Sequence, residues 1–423
     1  MSTWPADLAS RRRALRNAGL LSGIAAGAWL GAAEAPAKLV STGLSPVTVS
    51  LVMVCGVFLA RWSVPALLQG TAAVGADVRN APHLVVWAVL AGSLWSIANT
   101  LTVYAIRDVG LSIAFPLWNS NSLLGILWGA LFFGELRGAT GGQRSRVIGG
   151  TIAMCIGGTL LALASTHEAA HGSAARGVIA ALGAGLLWGT MYIPYRKAYL
   201  TGMSPLAFVT FFTVGELGCM GIIALTINGA SATAAELAAA RGVLFWLMLG
   251  GFVWVIGDLF QQYAAKYVGI SRGIPLSNTN QLWGLLWGTL VFGELRKSGV
   301  SLKMVIAGSI IMAIGAAAVA LATTGDTEHD QWRDAAEREA ERYGIDRQWV
   351  RDRLVGTASA PTGRGWLDWI LVAISTAVFV FLARQAEAPA LAMDLRWVVI
   401  LCIVSGALLL AAGWNLWRTT RFN

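Results

Sequence analysis

Residues Tyr104 to Arg137 read YAIRDVGLSIAFPLWNSNSLLGILWGALFFGELR, and residues Tyr263 to Arg296 read YAAKYVGISRGIPLSNTNQLWGLLWGTLVFGELR. They align without a gap at a constant offset of 159, with more than half of their positions identical. Both copies are strongly apolar. A long repeat inside a hydrophobic chain points to a two-halved membrane transporter whose substrate site lies where the halves meet. The repeat continues upstream: Gly31 and Pro36 match Gly189 and Pro194, Gly43 to Pro46 matches Gly202 to Pro205, and Trp95 to Asn99 matches Trp254 to Asp258.

Composition agrees. Hydrophobic residues make up 56% of the chain and charged residues 13%, and the mean hydropathy is +0.63, which excludes a soluble globular protein of ordinary composition. Segments long enough to span the hydrocarbon core as helices read at 17–38, 46–68, 84–106, 111–133 and 146–165 in the first half. In the second they read at 177–199, 205–228, 242–267, 270–293 and 304–323, and two more follow at 366–383 and 395–417. The fold expected is an all-α integral membrane protein: a ten-helix bundle of two inverted five-helix repeats (1–165 and 166–323), a charged cytoplasmic helical insert (324–364) and an extra transmembrane hairpin (365–423).

The net charge of +9 belongs to loops rather than to a basic domain, so no nucleic-acid partner is expected. Arg11, Arg12, Arg13, Arg16, Arg79, Arg137, Arg144, Arg146, Arg196, Lys197, Arg418 and Arg421 fall on one side if both termini are inside, as the excess of basic residues in cytoplasmic loops requires. The location expected is a bacterial-type inner membrane. The four cysteines lie in apolar spans and imply no disulfide framework.

Two motifs compete with this reading. The SRRRALRNAGLLSGIAAGAWLGAAEAPA stretch resembles a twin-arginine signal peptide, but Gly31, Pro36 and Lys38 align with Gly189, Pro194 and Arg196 of an internal helix, and cleavage would leave the first half one helix short. His167-Glu168-Ala-Ala-His171 spells HExxH, a zinc peptidase signature on a helix. Here it sits in a short loop, with His83 and His329 expected on the opposite side. A membrane zinc peptidase is therefore the alternative of another class, and neither a metal nor any other cofactor is expected.

The fourth span of each half carries a proline followed by amides: Pro116 with Asn119 and Asn121, and Pro275 with Asn278, Asn280 and Gln281. A proline inside a helix leaves the carbonyl four residues back without its donor, here that of Ser112 or Ser271, and amides suit a neutral polyhydroxylated solute. In a regular helix Asn119 and Asn121 point about 200° apart, so one of each pair faces a central cavity unless the turn unwinds. The plainer reading makes these amides interhelical glue beside Gly125-x3-Gly129 and Gly284-x3-Gly288.

Intramembrane carboxylates mark function more sharply. Asp258, deep in the eighth span, has the neutral Asn99 as its repeat partner, which fits a proton or cation coupling site; a buried aspartate satisfied by Gln261, Gln262 or a neighbouring helix is the plainer account. Glu216 is a second coupling candidate. Glu34 is a third, though Lys38 one turn later offers it a local ion pair. Glu135 and Glu294 fall at helix C-terminal ends, where the macrodipole disfavours an acid, and read as caps or hinges. Of nineteen tryptophans, Trp366, Trp369, Trp397, Trp414 and Trp417 look like interfacial belt residues, whereas Trp95, Trp188 and Trp254 lie deep enough to stack on a sugar ring or to pack in the core. Tyr192, beside Trp188, joins the substrate-contact candidates.

At PLWNSNSLLGILWGALFFGELR and at WGTMYIPYRKAY (Trp188 to Tyr199) the chain resembles the drug/metabolite transporter superfamily, and most of all the glucose/ribose porter family of sugar permeases; plant ureide permeases have similar stretches. The resemblance covers 17 to about 323. It implies ten helices in two inverted repeats, a cavity lined by spans 1, 3, 4, 6, 8 and 9, and proton-coupled import of a sugar by alternating access. A ureide, a nucleobase or another metabolite is the alternative substrate. Membrane lipid and a second copy of the chain are the other partners expected. After residue 324 the chain departs from this pattern with its charged insert and hairpin, which serve as a dimerisation or regulatory element or as a packing accessory.

Overall fold

A computed structural model describes residues 4–33, 35–36, 44–109, 114, 117–165, 173–293, 302–322, 326–355, 363–387 and 393–422. The chain is all-helical, 87% helix, with no strand among the described residues. Eight described helices are long and apolar enough to cross a membrane, so this is a multi-pass membrane protein.

Helix α1 (Trp4–Ala32) joins the arginine-rich start to the first apolar segment. Helix α2 (Pro46–Leu68) starts at Ser45, whose side chain accepts the Thr48 amide, with proline in the first helical position; serine before proline is a strong start signal. Helix α3 (Thr71–Asn80) is a short connector entered through Gly70 at φ 86°, and α4 (His83–Val109), α5 (Asn121–Phe133) and α6 (Gly141–Ser165) complete the first half.

The second half opens with α7 (Ala174–Leu200). Helix α8 (Pro205–Ile227) repeats the start of α2, with Ser204 accepting the Ala207 amide, and α9 (Ala230–Ala239) repeats α3, entered through Gly229 at φ 83°. Helix α10 (Leu244–Val268) then leads through Gly269, at φ 82°, into α11 (Ile270–Ser277). Helix α12 (Asn280–Leu286) runs into a π-turn at Trp287–Val291, and α13 (Leu302–Leu321) ends the half.

The span expected at 270–293 is therefore broken rather than continuous. The break falls at Asn278–Thr279, after the proline, and not at the carbonyl of Ser271. Side chains explain its place: Ser277 Oγ donates to the carbonyl of Ile274 at 2.7 Å and Thr279 Oγ1 to that of Leu276 at 2.8 Å, while the Thr279 amide bonds three residues back rather than four. Hydroxyls that bond backward in this way compete with the regular ladder. In the first half, a turn at Asn119–Ser120 precedes α5.

Helix α1 packs on α10, α11 and α12, as α7 packs on α4 and α5. Helices α2 and α10 cross closely, as do α4 and α8, and α6 pairs with α13. Glycines make the crossings possible: a Cβ on Gly56 would strike the carbonyl of Met248, on Gly251 that of Met53, on Gly92 that of Phe212, and on Gly215 that of Val89. Each contact in one crossing has its repeat counterpart in the other.

The appendage comprises α14 (Asp326–Tyr343), α15 (Arg347–Val355), α16 (Trp366–Gln385) and α17 (Leu395–Thr420). Helix α16 lies on α2 and α17 on α1, where Trp29 Nε1 donates to the carbonyl of Ser405 at 3.0 Å. Trp366, Trp369 and Trp414 are exposed by 77, 55 and 60%.

Candidate functional site

Three charged side chains meet in the interior. Arg61 of α2 is fully buried, and its Nη1 lies 2.6 Å from Glu216 Oε2 of α8 while its Nη2 lies 2.6 Å from Asp258 Oδ2 of α10. The other Asp258 oxygen accepts Gln262 Nε2 at 3.0 Å, and the hydroxyl of Tyr199 donates to Gln262 Oε1. The guanidinium rests 4.3 Å from the Phe212 ring centroid and 5.2 Å from that of Trp254, and planar aromatic faces suit a desolvated guanidinium. Two coupling candidates from different helices thus share one cation.

Arg61 went unread in the sequence, although a signal was there. It is the charged residue in the middle of an otherwise apolar span, opposite Met220 in the repeat, and a buried arginine must find an acid. Gln262 entered as a possible partner of Asp258 and is one. Glu34, the third coupling candidate, lies outside the described residues, as do Pro116, Glu294 and the whole HEAAH motif.

The amides converge separately. Asn119, Ser122, Thr151, Met154, Cys155, Pro275, Asn278 and Gln281 line a small cavity of about 10 Å³, roughly the room one water needs. Asn278 Nδ2 donates to Ser122 Oγ at 2.5 Å, whereas Asn119 Nδ2 and Gln281 Oε1 are buried with no hydrogen-bond partner. One unpaired donor and one unpaired acceptor therefore border the same space. Asn121 is buried beside it, accepting from Ser122 Oγ at 3.3 Å, and Asn280 sits at the start of α12 with its carbonyl against Gly31. One asparagine of each pair faces the cavity.

The aromatic candidates divide. Trp95 and Trp254 lie 5.4 Å apart in the neighbourhood of Arg61. Trp188 meets Trp118 edge-on at 6.1 Å, and Tyr192 is packed in the core against Tyr195 at 5.8 Å; neither borders the small cavity. Its ring also lies 3.5 Å from the place a Cβ on Gly125 would take.

Glu135 is held by the other half of the molecule. Its Oε1 accepts the Ile270 amide at 3.1 Å and its Oε2 the Ser271 amide at 2.8 Å, and Arg196 Nε lies 3.0 Å away. The acid thus caps the start of α11, where a negative charge is favoured. Arg196 and the α11 amides thus compensate the acid at the end of α5.

The charged insert closes over this end of the bundle. The Trp332 ring stacks 3.9 Å from the Arg196 guanidinium, Glu339 pairs with Lys197 at 3.1 Å, and Tyr343 stacks on His83 at 3.6 Å. Arg353 Nη2 reaches Asp77 Oδ1 at 2.7 Å in a buried pair, while Asp77 Oδ2 accepts the Ser204 amide at 2.8 Å. Burial pushes the Asp77 carboxyl above the ordinary carboxylate range, and Arg353 and the Ser204 amide oppose the rise. Among the described residues no cluster of His, Cys, Asp and Glu could hold a metal, and the four cysteines are free thiols.

A helical membrane protein that buries a cation between two carboxylates and lines an interior cavity with amides has the makings of a polar-solute carrier. Residues 178–339 match the family described as Sugar transport protein. The glucose uptake protein GlcU of Staphylococcus xylosus is 24% identical over 234 residues, covering 55% of this chain and 76% of its own length. The probable glucose uptake protein GlcU of Staphylococcus aureus (strain N315) is 24% identical over 250 residues, covering 56% of this chain and 78% of its own. A putative sugar uptake protein of Streptococcus pyogenes serotype M1 is 50% identical over 52 residues, which are 12% of this chain and 18% of its own. Over these stretches the chain is similar to sugar uptake proteins.

Proposed function

We propose that the protein is a secondary active transporter of a small polar metabolite, a sugar, working by alternating access of two inverted five-helix repeats and coupled to protons at the Arg61 cluster. The observation that carries this reading is Arg61 held between Glu216 and Asp258. One guanidinium facing two carboxylates leaves one negative charge uncompensated in an apolar interior, and a single bound proton neutralises the cluster. Uptake and release of that proton changes the net charge at the junction of α2, α8 and α10. Because these helices come from both halves, the change acts where the halves meet.

Reciprocal glycine crossings support the repeat arrangement, and an odd number of helices per half would put the ends of the two copies on opposite faces of the membrane. The family match and the glucose uptake proteins support a sugar as substrate. The unpaired amide groups of Asn119 and Gln281 offer a hydroxyl both an acceptor and a donor. In the described conformation their cavity is far smaller than a sugar-sized pocket, which fits a closed conformation of the carrier.

Uphill uptake and counterflow in proteoliposomes test the proposal. Asp258→Asn should abolish proton-driven accumulation and spare exchange, because a neutral side chain mimics the protonated carrier; Asn119→Ala or Asn278→Ala should weaken both modes. Retained accumulation by the aspartate variant would remove Asp258 from the coupling step. Cysteines placed after Arg137 and after Arg296 should label from opposite sides, and labelling from one side would overturn the inverted arrangement.

A further inference from the structure

Helix α17 lies outside both repeats, yet it builds a polar groove against the first helix of the carrier. Ser10, Arg11 and Ala14 of α1 and Trp414, Asn415, Arg418 and Thr419 of α17 enclose a volume of about 510 Å³. Below it the helices are sealed by apolar packing that includes Leu15, Ala18, Ala412 and Leu416. The lining holds two guanidinium groups and no carboxylate. Arg11 Nη2 reaches across to the carbonyl of Thr419 at 3.5 Å, so the groove is bridged by its own cation. Asn415 Oδ1 is buried with no hydrogen-bond partner, and it belongs to the groove wall.

The outer face of α17 continues the groove with a different chemistry. Val399, Ile403, Leu410 and Trp414 are 56, 65, 73 and 60% exposed, and their spacing places them along one stripe of a helix. Trp414 stacks on Trp417 at 5.1 Å. Indole rings at the end of an apolar stripe mark the level where acyl chains meet headgroups. An anion that enters this groove from the membrane can thus keep its chain on the stripe while its charge reaches Arg11 and Arg418.

We infer that the α1–α17 groove is a binding site for the phosphodiester of an anionic glycerophospholipid. Two arginines match one phosphate; the Asn415 oxygen is free to accept a headgroup hydroxyl; and the exposed stripe takes the acyl chain. The same phosphate chemistry exists in solution, and the apolar stripe favours the lipid source. A lipid in this position joins the appended hairpin to the first repeat and is independent of whether the protein carries a sugar.

The experiment uses the full-length purified protein in a neutral detergent, with thermal unfolding and native mass spectrometry as readouts. Phosphatidylglycerol should raise the unfolding temperature and remain bound in the gas phase, and neither phosphatidylcholine nor inorganic phosphate should do so. In the double variant Arg11→Gln/Arg418→Gln the apparent affinity for phosphatidylglycerol should fall on the order of tenfold or more, while Arg13→Gln, on an exposed side chain outside the groove, should leave it unchanged. Should the double variant fail to fold, Arg418→Gln alone is read in the same way, since Arg418 is exposed. Equal stabilisation by inorganic phosphate would show a free-anion site, and an undiminished lipid effect in the arginine variants would show diffuse surface charge; either result overturns the inference.

Discussion

The carboxylate of Glu135 accepts the backbone amide of Ser271 at 2.8 Å, so the residue that ends the fourth helical segment of one half begins that of the other. By its own helix Glu135 is misplaced, since the C-terminal end of α5 repels an acid. The first turn of α11 reverses the sign of that effect, and Arg196 adds a cation-to-carboxylate contact.

Glu135→Ala should therefore loosen α11 rather than α5. Loss of a capping side chain costs about 0.5–2 kcal/mol, and Glu135→Gln, which keeps an acceptor, should lose less. Hydrogen exchange at the amides of Ile270 and Ser271 reads this directly. Unchanged protection in the alanine variant would contradict the capping role.

Arg61→Gln should be severely destabilising, because two carboxylates remain buried without their cation; breaking a buried pair by removing one partner costs about 3–5 kcal/mol. The triple variant Arg61→Gln/Glu216→Gln/Asp258→Asn carries no buried charge and should recover much of the lost thermal stability while remaining unable to accumulate solute. If the triple variant is no more stable than the single one, charge pairing is not what holds this junction.

The crossings give a steric prediction. Gly92→Ala and Gly251→Ala each press a methyl group into a facing carbonyl, and overpacking of this kind costs about 1–3 kcal/mol. Gly221→Ala, where a Cβ meets nothing within 4 Å, is the control. Comparable unfolding temperatures for all three would show that α2/α10 and α4/α8 approach less closely than described.

How much of this was legible in the sequence depends on the range of each interaction. The spans, the repeat and the amide-rich fourth helices could be read because hydropathy and self-similarity are local patterns. That Asn119 and Asn278 would face one cavity was legible only as an alternative, since a helical wheel cannot say where a helix breaks. Arg61 lies 155 residues from Glu216 and 197 from Asp258, and no local pattern joins them. The fate of Glu135 was hidden for the same reason: its partners, Arg196, Ile270 and Ser271, are all supplied by the other half.

The insert gives a fourth prediction. Arg353→Gln removes the cation that offsets the burial of Asp77, so the Asp77 carboxyl should rise further above its ordinary range and α15 should release from α3. Limited proteolysis of intact protein should then cut within residues 347–355 faster than in the unaltered chain, by tenfold or more if about 1.4 kcal/mol of docking energy is lost. Asp77→Asn, which keeps an oxygen for the Ser204 amide, should loosen the insert without unravelling the start of α8. An unaltered cleavage rate in Arg353→Gln would mean that the ring contacts of Trp332 and Tyr343 and the Glu339–Lys197 pair hold the insert without it.

The division of charge at the Arg61 junction fixes the relationship between the two halves of the chain. The first supplies the cation and the second supplies both anions, so an isolated first half would bury an orphan arginine and an isolated second half two orphan acids. A pair of identical first halves, or of identical second halves, cannot balance its charges across such a junction. If the repeat arose by duplication of a self-associating unit, these three side chains have made that step irreversible: the polypeptide is now an obligate heterodimer written as one chain, and severed halves should rescue one another only as unlike partners.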